Sequence, residues 1–225
     1  MRVQLPSYEG LSLVVERARR LFDLDADPLH ITEHLRASPQ MQRLVEQSPG
    51  LRLPGAWDGF ELAVRAVLGE QLTAVRVTRL AGRLVKVFGR QVNLGEHGLT
   101  HLFPSPEVLA EADLTRFGVP VLRAAAIRSI ATAAAMGALS LQARSDPADA
   151  ISRLCAIPGI DQVTADYIAM RGLGEPDAFP AYEIGLRRAL ANGGSPFAAS
   201  ALECLAEGWR PWRAYAAMYL WAAQS

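Results

Sequence analysis

Apolar side chains recur along most of this chain at the three- and four-residue spacing of a helix. From Leu11 to Phe22 they line one face, and the pattern predicts an amphipathic helix that ends in DLDADP. Shorter helices are predicted over Pro28 to Leu35 and Gln40 to Gln47. In PGAWDGFELAVRAVLGEQLT, proline and aspartate come first, and Phe60, Val64, Val67 and Leu68 then share a face. Another helix runs from Thr73 or Ala74 through Phe88 and is closed by Gly89. Residues 90–103 read as a polar loop or a short extended pair. Further helices are expected over Pro106 to Ala112, with Ser105 as cap, and over the alanine-rich stretch Val121 to Met136. Asp146, with Pro147 at the first helical position, opens one that ends near Ala156. Val163 to Arg171, Ala181 to Ala191, Pro196 to Glu207 and Pro211 to Ala223 complete the set. Only RVQL, residues 2–5, suggests a strand, so the pattern predicts an all-α chain of roughly ten helices with short connections.

At 225 residues, half of them apolar, the chain is long enough for one large domain or two lobes around a shared core. No run approaches the ~18 uninterrupted apolar residues of a membrane span. MRVQLPSYEG has no long apolar stretch of the secretory kind, so the expectation is a cytoplasmic protein. Cys155 and Cys204 cannot supply the ligands of an iron–sulfur cluster or a four-cysteine zinc site. His30, His34, His97 and His101 lack zinc-protease spacing, and the pair His30 and His34 reads as a helix-surface pair. The formal net charge of zero argues against dense nonspecific nucleic-acid binding but leaves room for a local basic face. Lys86 is the only lysine, so a mechanism that needs a lysine nucleophile has one candidate.

Two segments concentrate the candidate chemistry. LCAIPGIDQVTADYIAMRG, residues 154–172, reads as helix, tight turn, helix. Gly159 suits a positive φ and Asp161 suits a cap. Such a turn aims backbone N–H groups outward and fits a phosphate, although a plain helix–turn–helix connection has the same pattern. In AFPAYEIGLRRAL, residues 178–190, a proline-marked bend leads into a helix carrying Glu183, with Arg187 and Arg188 following.

Taken in order, these segments resemble the helix-hairpin-helix (HhH-GPD) DNA glycosylase superfamily and, within it, AlkA-like 3-methyladenine DNA glycosylase II. The resemblance extends through ERARRLFDLDADP, LRLPGAWDGFELAVRAVLGEQLTAVRVTRLAGRLV and EGWRPWRAYAAMYLW, from about residue 14 to 222. It implies a bilobal all-α fold, with one lobe over 58–175 that contains the hairpin 154–172 and a second lobe from 1–57 plus 176–225. The N-terminal sheet lobe common among such proteins is expected to be lacking or vestigial, with only RVQL left of it.

The resemblance implies an enzyme that flips an alkylated base out of double-stranded DNA and cuts its N-glycosidic bond, acting as a monomer associated with the nucleoid. Gly159, Asp161 and Thr164 then fall at the positions that hold a backbone phosphate. The backbone carbonyls of Cys155, Ile157 and Ile160 fall where a monovalent cation, Na or K, is held; no other cofactor is required. Asp161 replaces the family's usual glycine, so its side chain is expected to turn back and cap the helix. GEQLT, residues 69–73, matches the wedge loop that fills the gap left by the flipped base, with Gln71 as first candidate and Leu72 as second. Tyr167 and Trp221 match positions that stack on the lesion base, and electron-rich rings attract cationic alkylpurines by ~0.5–2 kcal/mol. Val163, Ile184 and Gly185 stand where bulkier residues are usual, which predicts a wider, less aromatic pocket. Strand-nicking members place a lysine where Val163 stands here, so the expected reaction uses water, leaves an abasic site and lacks lyase activity.

The resemblance places Glu183 at the position of the family's catalytic aspartate. A carboxylate there stabilises an oxocarbenium-like transition state and orients or deprotonates water. Glutamate adds a methylene, and a displacement of ~1 Å can cost about 100-fold in rate. Three readings stay open: a working carboxylate in a reshaped pocket, a lesion-binding protein with weak or lost cleavage, or a bystander with Asp177 in charge. Arg187 is the arginine assigned to DNA contact, and Arg171, Arg188, Arg210 and Arg213 are candidates for a basic face.

Overall fold

The computed structural model describes residues 8–70, 72–93, 98–142, 145–191 and 194–224. The RVQL strand expectation and Gln71 lie outside these residues. Twelve α-helices and no strands are found among the described residues. An isolated antiparallel bridge joins Gln91 to His101, which makes part of 90–103 a short extended pair.

The chain divides into two compact units, Met1–Trp57 with Gly174–Ser225, and Asp58–Leu173. In the first, α1 (Leu11–Leu21), α2 (Pro28–Arg36) and α3 (Pro39–Gln47) come from the N-terminal segment. They are joined there by α10 (Ile184–Ala189), α11 (Ala199–Ala206) and α12 (Arg213–Ala222). Asp27 caps α2 by accepting from the N–H groups of Leu29 and His30, and Pro28 sits at the first helical position where no partner is needed. Helix α12 packs on α3 and α10, and its buried face carries Ala216, Ala217, Tyr219 and Leu220. Asp23, at φ 52°, accepts from the Tyr215 hydroxyl at 2.9 Å and the Leu53 N–H at 2.9 Å, tying the α1–α2 turn to α12.

The second unit centres on α4 (Gly59–Gly69). Asp58 caps it through the Glu61 N–H at 2.8 Å, and Ala63, Val64, Val67 and Leu68 are buried along it. Around it pack α5 (Ala74–Phe88), α7 (Val121–Ala135) and α9 (Gln162–Ile168), with α6 (Pro106–Ala110) against α7 and α8 (Pro147–Cys155) against α9. Helix α9 continues as a π-helical turn over Ala169–Leu173, all but Arg171 of it buried. Lys86 is exposed in the last turn of α5.

Candidate active site

The C-terminal bend decides the position of Glu183. The helix expected from Ala181 begins at Ile184 instead. Phe179-Pro180-Ala181-Tyr182 forms turns, with Ala181 N–H donating to the Phe179 carbonyl at 2.9 Å and Glu183 N–H to the Pro180 carbonyl at 2.9 Å. Glu183 is therefore the N-cap of α10, at φ −65° and ψ 127°.

Its side chain folds back onto the helix it caps. Oε1 accepts from the Gly185 N–H at 2.8 Å, and Oε2 accepts from the Leu186 N–H at 2.8 Å. Oε2 also accepts from the indole Nε1–H of Trp221, on α12, at 3.0 Å. A carboxylate offers about four lone-pair directions. Among the described residues three donors reach it, one on Oε1 and two on Oε2. Among the described residues no arginine or lysine pairs with Glu183, so its charge meets only neutral donors. Glu183 is half-buried and Ile184 beside it is 43 % exposed. Gly185 does more than widen a pocket: a Cβ built on it lies 2.8 Å from Glu183 Oε2.

Asp177, the alternative carboxylate, has a different environment. Arg213 holds it with two bonds, Nε to Oδ1 at 2.8 Å and Nη2 to Oδ2 at 3.0 Å, and Arg210 also pairs with Oδ2. Glu207 joins through both arginines, and Arg210 beside it holds its carboxyl below the usual range. Arg210 and Arg213 are thus committed to carboxylates, which corrects their place on a basic face. Arg187 Nε donates to the Phe197 carbonyl at 2.6 Å and so ties α10 to Phe197.

The hairpin lies in the other unit. Gly159 takes φ 92°, and a Cβ there would meet Leu122 Cγ at 3.0 Å, so the turn needs glycine for both conformation and space. Asp161 turns back to accept from the Thr164 N–H at 2.8 Å. Thr164 therefore presents no donor outward: it is 7 % exposed, and its hydroxyl donates to Glu70 Oε1 at 3.2 Å. This corrects its assignment as a phosphate contact. The Cys155 thiol is pushed up, first by partial burial and then by Asp166 and Asp161. Val163 and Tyr167 are half-buried on α9, and the Arg171 guanidinium carbon stands 5.9 Å from the centre of the Tyr167 ring. Among the described residues no three His, Cys, Asp or Glu side chains gather as metal ligands.

Sequence reading missed two features of this unit. Glu70, inside GEQLT, accepts from Arg123 Nε at 3.3 Å as well as from Thr164, and so ties the segment before Leu72 to α7 and α9. Leu72 borders a groove with Arg76, Arg79 and Arg83 along one wall. These arginines are exposed, and among the described residues no acid pairs with them. Their spacing of three and four residues was readable as one helix face.

Residues 1–58 match the family model AlkA N-terminal domain, and the described part of that match is helical. The chain is 44 % identical over 217 residues to the probable bifunctional transcriptional activator/DNA repair enzyme AlkA of Mycobacterium tuberculosis, a match covering 96 % of this chain and 44 % of that protein. It therefore spans less than half the length of that relative. It is 35 % identical over 205 residues to DNA-3-methyladenine glycosylase 2 of Escherichia coli, covering 90 % of this chain and 68 % of that one. Its fold matches the solved 3-methyladenine DNA-glycosylase of Archaeoglobus fulgidus with a TM-score of 0.79 at 23 % identity, over 96 % of this chain and 75 % of the other. The chain belongs to the AlkA-type DNA-3-methyladenine glycosylase family, and its helical fold is that of the solved glycosylase.

Proposed function

We propose that this chain is a monofunctional DNA N-glycosylase that flips alkylated purines of the 3-methyladenine and 7-methylguanine type out of double-stranded DNA and hydrolyses the glycosidic bond in base-excision repair. One observation carries the reading: a carboxylate at the start of α10 is held by three neutral N–H donors, and among the described residues no arginine or lysine pairs with it. Such a group is oriented but not cancelled by a counter-ion.

The chemistry follows from that geometry. An alkylated purine is cationic and leaves readily, taking the electrons of the C1′–N bond and becoming neutral. Positive charge then develops on the sugar, and the Glu183 carboxylate stabilises it. Water adds to C1′ and gives up its proton, for which the Glu183 carboxylate is the acceptor. The abasic sugar and the free base are the products. Trp221 fixes the carboxylate through its indole N–H. Trp221, beside Glu183, supplies an aromatic face for a cationic base, and Ile184 gives an apolar wall. Extracting the nucleotide costs roughly a few kcal/mol.

DNA contact is assigned to the backbone of the hairpin at Gly159, to the exposed face of α5 with Arg76, Arg79 and Arg83, and to Leu72, with Gln71, as the wedge. A monovalent cation, Na or K, is assigned to the hairpin by the likeness to the family. The carbonyl oxygens of Cys155, Ile157 and Ile160 would hold it. When bound, the cation supplies positive charge beside a phosphate. The chain is proposed to act as a monomer in the cytoplasm, at the nucleoid; among the described residues no helix is long and apolar enough to cross a membrane.

The test is release of free base from duplex DNA carrying 3-methyladenine or 7-methylguanine. Wild-type protein is expected to release it, and Glu183→Gln to slow release by about 100-fold or more. Tight lesion binding without release at any pH would instead establish a lesion-binding protein that does not cleave. Undiminished release by Glu183→Gln would remove Glu183 from the mechanism.

A further inference from the structure

Glutamate is an unusual side chain for the task Glu183 performs. A short cap such as aspartate reaches the N–H groups two and three residues on without folding over itself. Glutamate, one methylene longer, must arch back across the first turn. Here it does so directly over residue 185, and residue 185 has no side chain.

We propose that Gly185 is the positioning residue that allows glutamate to serve as the carboxylate of this site. A Cβ at this position would lie 2.8 Å from Oε2, 3.1 Å from Oε1 and 3.3 Å from Cδ of Glu183. Those are its three nearest neighbours apart from residue 185, the residues flanking it and the adjacent backbone of its own helix, so the conflict is with the carboxylate group itself. The backbone cannot readily step aside. Gly185 N–H donates to Oε1 at 2.8 Å, its carbonyl accepts from Gln224 Nε2 at 2.8 Å, and Leu186, buried next to it, donates to Oε2 at 2.8 Å. The flexible partner in this conflict is the carboxylate. A methyl group at residue 185 therefore displaces Glu183 and loosens its bond to Trp221, while leaving the helix intact. Alanine is also the better helix former, so lost stability is not the expected consequence. The positions read together as one unit: the extra methylene at 183 is accommodated by the missing side chain at 185.

This inference rests on Glu183 being the working carboxylate, and its test separates the two claims. Wild type, Gly185→Ala, Glu183→Asp and the double variant are compared by single-turnover release of 7-methylguanine from duplex DNA, by thermal unfolding, and by the indole N–H resonance of Trp221. Trp221→Phe assigns that resonance among the four tryptophans. Gly185→Ala is expected to slow release by at least ~10-fold and to shift the Trp221 resonance, without lowering the unfolding temperature. In the Glu183→Asp background, the same substitution is expected to change release by less than about 3-fold, because the shorter side chain does not cross residue 185. An unchanged resonance with unchanged release in Gly185→Ala overturns the proposal, and so does an equal loss in both backgrounds. If Glu183→Gln releases base as fast as wild type, the catalytic reading of Glu183 fails. The Trp221 resonance then decides alone: a shift in Gly185→Ala supports Gly185 as what holds that carboxylate, and no shift overturns it.

Discussion

Asp177 and Glu183 lie six residues apart in the chain, on either side of one proline-marked bend, and their surroundings are opposite in kind. Asp177 meets two guanidinium groups, one of them in a bidentate grip, and its charge is cancelled where it stands. Glu183 meets two backbone N–H groups and an indole N–H, all neutral. Both carboxylates are well ordered by hydrogen bonds. Only the second keeps a net negative charge to offer a developing cation. The lesson concerns what holds a carboxylate: charged partners make it a brace, whereas neutral partners can leave it an electrostatic tool.

The sharpest way to break this comparison is to neutralise each carboxylate in turn. Glu183→Gln is expected to reduce base release by about 100-fold or more while leaving unfolding within a few degrees of wild type. Asp177→Asn is expected to do the reverse. It leaves Arg213, whose side chain is 18 % exposed, without its bidentate partner. A stability loss of ~2 kcal/mol, or roughly 4–8 °C in a chain of this size, should appear in a thermal melt, with release per folded molecule within a few-fold of wild type. Loss of chemistry in Asp177→Asn at full occupancy of the fold would reverse the assignment.

The same contrast applies to the arginines. Arg210 and Arg213 are paired with acids, whereas Arg76, Arg79 and Arg83 are exposed on α5 and have no acidic partner among the described residues. Replacing those three with alanine should weaken duplex binding regardless of sequence and lower the slope of log affinity against log salt by about 2 to 3. A titration of binding against salt concentration measures this. An unchanged slope would place the DNA elsewhere.

A third carboxylate sharpens the comparison through a smaller effect. Asp23 also meets neutral donors, Tyr215 and the Leu53 N–H, but there the consequence falls on the donor. Burial, and then the Asp23 charge, push the Tyr215 hydroxyl well above its usual value. A raised value means the folded state keeps the proton longer than the unfolded chain. The stabilisation is therefore complete below about pH 10 and is lost as pH rises past it toward the folded value. Unfolding measured between pH 8 and 11 should show this alkaline loss in wild type and a flatter profile in Tyr215→Phe.

Much of this was legible without coordinates. The helical spacing located most helices to within a residue or two, because each buries a stripe that has to recur every turn. The Asp146-Pro147 start, the Gly89 stop and the cap role of Asp161 are local rules, satisfied by atoms within three residues. The start of α10 was misplaced by three residues for the same kind of reason. Alanine, tyrosine and glutamate at 181–183 are all permitted in helices, and only the turn after Pro180 makes Glu183 a cap. Thr164 could not be judged from sequence, because the partner that occupies its hydroxyl, Glu70, is distant in the chain.

The sequence by itself determined that the chain is helical, that its hairpin needs a glycine at 159, and that a carboxylate stands at position 183. These follow from periodicity, backbone sterics and residue identity, which act over a few neighbouring positions. The tertiary structure alone decided which charges remain uncompensated. Whether a carboxylate faces an indole on α12 or a pair of guanidiniums depends on groups separated by tens of residues, brought together only when the helices pack. The electrostatic role of a side chain is set by that company and not by its own formula.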